Sequence, residues 1–105
     1  MSQLNRLNAA LLIRPSDPFL LYAIAMEHLK LEEFEVALQS FDGLTRSHPN
    51  YVPTYLQYGM TLVQQRNFDA AKSVLETGHR VALEMGDAHT ADEINQALQA
   101  LLDGF

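Results

Sequence analysis

The sequence predicts an all-α protein built from antiparallel helix-turn-helix units stacked on one another, about six helices in all. Two observations carry that reading. The first is internal repetition: "LYAIAMEHLKLEEFEVALQSF", Leu21 to Phe41, returns in altered form as "YLQYGMTLVQQRNFDAAKSVL", Tyr55 to Leu75. A shift of 34 residues places Pro15 on Pro49, Ala25 on Gly59, Met26 on Met60, Leu29 on Val63, Phe34 on Phe68, Ala37 on Ala71 and Phe41 on Leu75. A fixed period of this size is the signature of stacked units that cannot bury their apolar faces alone. The second observation is apolar spacing within each copy. Leu21, Ile24, Ala25 and His28 or Leu29 form one run at helical intervals, and Phe34, Ala37, Leu38, Phe41 and Leu44 form the next. Each copy is therefore two helices.

In chain order, residues 1–14 form an N-terminal helix, because "QLNRLNAALLIRP" spaces Leu4, Leu7, Ala10 and Leu11 along one face and stops at Pro15. Residues 18–51 are the first repeat and residues 52–86 the second. The second repeat lacks a proline at the position of Pro49, where Leu83 stands, so its second helix runs on through "HRVALEM" to Gly86. Residues 87–103 form a last helix with Ala88, Ala91, Ile94, Leu98, Leu101 and Leu102 on one face and Asp92, Glu93, Gln96, Gln99 and Asp103 on the other. That one-sided pattern describes a helix capping an open end, and 105 residues allow one domain with one core.

The two central copies resemble the tetratricopeptide repeat, a 34-residue helix-turn-helix with small residues at the helix crossing and a proline closing the second helix. Ala25 stands at the small position of the first helix, Ala37 and Phe41 make the A-x3-F element, and Pro49 closes the unit. Gly59, Phe68 and Ala71 take the same roles in the second copy, whereas His28 and Leu62 replace the family's usual aromatic. The resemblance implies a small, bacterial-type stand-alone protein of this family, folded as a short right-handed solenoid. The N-terminal helix then looks like an isolated second helix, and the chain reads B, A-B, A-B, A.

In this family the outward residues of each first helix line a concave surface, so the resemblance implies a partner-binding set. It comprises Phe19, Tyr22, Met26, Leu29 and Lys30 in the first copy and Pro53, Leu56, Met60, Val63 and Gln64 in the second. The set is apolar and holds two Met in register, and flexible Met suits surfaces that accept an amphipathic helix. It implies an adaptor or scaffold that binds a protein or peptide partner. The alternative is a self-assembling structural protein, a homodimer for instance, whose groove is filled by a second copy. The same side chains would also serve as core if the terminal helices covered them. A receptor for C-terminal carboxylates is disfavoured, because Lys30 is the only basic residue of the set and no Asn stands beside it.

Composition narrows the function classes further. A hydrophobic fraction of 48% with 19% charged residues is that of a folded globular chain. A net charge of -6 with seven scattered Lys and Arg argues against nucleic acid as a partner. The absence of cysteine fits a reducing compartment. The apolar run Ala9 to Ile13 is too short for a signal peptide or a membrane span, so a cytoplasmic location without membrane insertion is expected. His89, Asp92 and Glu93 could converge on a metal ion, but no second ligand pair is placed to complete the site. His28 takes a packing position, and neither His48 nor His79 has a triad-like partner. The acidic Glu32, Glu33 and Glu35 are placed at a helix start, where negative charge favours the dipole. No phosphate loop or nucleophile elbow occurs, so no enzyme activity, cofactor or metal is expected.

Overall fold

The computed structural model describes residues 2–104, and every regular element among them is helical. The six helices are α1 (Gln3–Ile13), α2 (Pro18–Lys30), α3 (Phe34–Ser47), α4 (Pro53–Gln64), α5 (Phe68–Glu84) and α6 (Ala88–Leu102). They fall into two compact units, one ending at His48 and one beginning at Pro49.

In the first unit α1 packs on α2 and α2 on α3. Asp17 starts α2 by accepting the Phe19 N–H, and Pro18 sits in the first turn, where its missing N–H costs nothing. Ala25, Ala37 and Phe41 are fully buried and Leu44 nearly so. The Tyr22 ring tilts against Phe41 at a centroid separation of 6.5 Å. On α1, Leu4, Leu7, Ala10 and Leu11 are half-buried, while Leu12 and Ile13 stay exposed.

In the second unit α5 packs on both α4 and α6, and α4 also touches α6. The core joins Val52, Tyr55, Leu75, Val81, Ala82, Ala91, Ile94 and Leu98, with Leu56, Val74, Ala97 and Leu101 packed against it. Two glycines let the helices approach. A methyl group on Gly59 would sit 2.5 Å from Leu75 Cγ, and one on Gly78 would sit 2.9 Å from Tyr55 Cγ and overlap Tyr55 Cβ. The Tyr55 hydroxyl donates to the Pro49 carbonyl at 2.6 Å. Burial raises that phenol's pKa, and the positive charge of Arg80 offsets part of the rise.

Three helix-to-helix turns share one backbone device. After α2, α4 and α5 a residue takes a left-handed conformation: Glu32 at φ 60°, Arg66 at φ 62° and Gly86 at φ 74°. In each, the next N–H reaches back to the helix, Glu33 to His28, Asn67 to Leu62 and Asp87 to Ala82, all at 2.9 Å. These paired bonds satisfy carbonyls that the helix end would leave open. The device corrects the expectation for the acidic run. Glu32 belongs to the turn, Glu33 is the N-cap without a side-chain capping bond, and only Glu35 lies in the first turn of α3. Glu33 Oε1 instead lies at hydrogen-bond distance, 2.9 Å, from His28 Nδ1, tying the end of α2 to the start of α3.

Candidate functional site

On α2, the first half of the candidate set is graded in exposure. Phe19 is 62% exposed at the helix start, Tyr22, Met26 and Leu29 are half-buried, and Lys30 is exposed at the end. Tyr22 is committed to Phe41, so its ring contributes one face to packing. On α4, Pro53 and Gln64 are exposed, Leu56 and Val63 half-buried, and Met60 is 46% exposed. A methionine that open on a helix that buries Tyr55 and Leu62 is an apolar group presented to solvent.

The second unit brings some of these residues into a groove. Leu56 and Met60 line it from α4 together with Gln57, and Glu93, Gln96 and Ala97 line it from α6, around an open volume of about 490 Å³. Val63 and Gln64 line a separate depression with Arg66 and Phe68. Pro53 and the α2 residues belong to neither.

The contribution of α6 was not foreseen from the sequence, which assigned Glu93 and Gln96 to a solvated outer face. A third 34-residue step places Glu93 on the crossing position held by Ala25 and Gly59. The helix instead buries Ala91, Ile94 and Leu98, leaving Glu93 at the groove. Its aliphatic stripe, packed against α4 and α5, decides its rotation. Gln96 and Glu93 are also held locally: Gln96 Nε2 donates to Asp92 Oδ2 at 3.1 Å, and His89 Nε2 lies 3.5 Å from Glu93 Oε1.

The groove offers the apolar side chains of Leu56, Met60 and Ala97, the amides of Gln57 and Gln96, and the carboxylate of Glu93. Among the described residues no group of three or more His, Asp or Glu is arranged to hold a metal ion, and no helix is long and apolar enough to cross a membrane. His28 is partly buried beside Glu33, His48 shares a bond with Ser47, and Arg80, beside His79 in sequence, pairs with Glu84.

No family model matches the sequence, and no curated protein matches it. Solved structures do. A tetratricopeptide repeat domain protein from Salinibacter ruber, known from solution NMR, superposes with a TM-score of 0.83 at 33% identity, over 87% of this chain and 92% of that one. The TPR2B domain of yeast Sti1 shares the fold at a TM-score of 0.87 and 18% identity, over 97% of this chain and 82% of that one. PcrH does so at 0.85 and 17%, over 95% and 76%. Six helices with the small, aromatic and proline positions of a 34-residue repeat, and a third of residues shared across nearly the whole Salinibacter domain, place this chain in the tetratricopeptide repeat family.

Proposed function

We propose that the protein is a protein-interaction module, an adaptor or scaffold that binds a partner's helix or peptide on apolar outward helix faces, that of α2 in the first unit and that of α4 in the second, each taken by itself. The observation that carries the proposal is Met60, an exposed apolar side chain at the mouth of a groove walled by a second helix. Its repeat counterpart Met26 stands at the same position of α2, beside Tyr22 and Leu29, with Phe19 exposed nearby on the same helix. Flexible thioethers adapt to differing apolar partners, and a helix docks by laying its apolar stripe into such a surface. Two proteins of the same fold support the reading, since the Sti1 domain was solved in complex with pHsp70 and PcrH with the chaperone binding region of PopD.

Replacing Met26 and Met60 by Lys tests the proposal, because a lysine stem lies along an apolar surface while its charge reaches water. Circular dichroism is expected to be unchanged, and capture of partner protein from lysate is expected to be lost. Light scattering distinguishes the self-assembly reading, in which the wild type forms a dimer that the double variant dissolves. Loss of helicity together with binding means that the methionines are core, and the proposal fails.

A further inference from the structure

We infer that the α4–α6 groove takes a basic amphipathic helix, its apolar stripe on Leu56, Met60 and Ala97 and its lysines or arginines toward Glu93 and Asp92. The inference rests on the function proposed above and adds the chemistry of the partner. Along its whole length α4 carries no charged side chain, and α6 carries only Asp92 and Glu93 beside His89. The formal charge on the two walls is therefore wholly negative. Both carboxylates are positioned: Gln96, itself a groove residue, holds Asp92, and Glu93 lines the groove with its side chain about half exposed. Arg66, the first basic residue after α4 in the sequence, lines the separate depression with Val63 and Gln64, and among the described residues no basic side chain lines the groove itself. A ligand with acidic residues along its flank meets repulsion here and no compensating donor except the amides of Gln57 and Gln96.

A second copy is the competing occupant, since α1 presents Leu12 and Ile13 to solvent and carries Arg6 without an acidic residue. Two chains of charge -6 repel each other as bodies, whereas a free basic segment is drawn in by the whole field. That difference favours the foreign segment.

The test uses the full chain and two short synthetic helical peptides with one leucine stripe, one bearing lysines on its other face and one glutamates, read by fluorescence anisotropy. The lysine peptide is expected to bind about ten-fold tighter at low salt, with the gap closing at about 0.5 M salt. Glu93→Gln is expected to weaken the lysine peptide about two- to five-fold and leave its twin unchanged, the scale of a partly exposed ion pair. Met60→Gln, which removes apolar surface without adding charge, is expected to weaken both. Equal binding of the two peptides with sensitivity to Met60 overturns the charge inference and leaves the groove reading standing. Failure of both peptides to bind overturns both. Multimers seen by light scattering that dissolve on Leu12→Asp assign the groove to a second copy and overturn the inference as well.

Discussion

Alanine at Gly78 is expected to destabilise the protein even though it improves helix propensity, and the two effects can be weighed from the structure. Gly78 lies within the long helix α5, where Gly-to-Ala alone gains about 1 kcal/mol. The new methyl group would overlap Tyr55 Cβ and lie 2.9 Å from Tyr55 Cγ and 3.2 Å from Ile94 Cδ1. Tyr55 Cβ is fixed to the backbone of α4, and its hydroxyl is tethered to Pro49, so the ring has little freedom to withdraw. Relief requires α4 and α5 to part, and overpacking of this kind costs about 1 to 3 kcal/mol, here at the upper end. The net loss is about 2 kcal/mol, or roughly 10 °C in melting temperature for a chain this size. Gly43 is the control, because a methyl group there meets nothing within 4 Å, and its alanine variant gains about 1 kcal/mol. Thermal and urea unfolding of both variants checks the pair. A Gly78→Ala protein that melts at or above the wild type refutes the close approach of Tyr55.

Four further outcomes follow from particular residues. Ala71→Leu, at a fully buried position on α5, is expected to cost about 1 to 3 kcal/mol, and an unchanged melting temperature shows that the repeat register is wrong. Glu32→Gly and Arg66→Gly are each expected to stabilise by up to about 1 kcal/mol in urea unfolding, because glycine occupies the left-handed turn without the steric cost those side chains bear. Thr54 is fully buried with its hydroxyl lacking a hydrogen-bond partner, so Thr54→Val is expected to raise stability by about 1 kcal/mol, and a lower urea midpoint refutes the assignment. Asp87 accepts from Thr90 at the start of α6, and that bonding holds its carboxyl below the usual carboxylate range. A depressed folded value means stability present above the ordinary carboxylate pKa of about 4 and lost as pH falls through the folded value. Melting curves down the acid range are therefore expected to fall less steeply for Asp87→Asn, which keeps an accepting oxygen but does not titrate.

Much of the fold was legible because it is written in local rules. The period of 34 and the spacing of Ala25, Ala37 and Phe41 mark helices that must face one another, since only small residues admit close crossing, and all three are buried. Pro18 and Asp17 mark a helix start by their own backbone chemistry. The left-handed turns were half legible: Gly86 announces itself, whereas Glu32 and Arg66 adopt the same conformation without a glycine to signal it. There the paired backbone bonds across the turn outweigh side-chain preference.

The candidate site was legible only on the helices where the repeat is intact. Sequence alone settled that α2 and α4 carry equivalent residues, Met26 and Met60 among them, because a repeated pattern assigns equivalent positions without reference to anything outside the unit. It also placed Ala91, Ile94 and Leu98 on the apolar face of α6, where they are buried, but it did not foresee that the opposite face would meet α4. Ala97, Gln96 and Glu93 enter the groove because burial of Ala91, Ile94 and Leu98 against the core of α4 and α5 leaves them beside Leu56 and Met60. Rotation of a helix that ends a repeat is fixed by the summed burial of its aliphatic stripe against neighbours distant in sequence. That Met60 and Glu93 share one groove was therefore decided by tertiary packing.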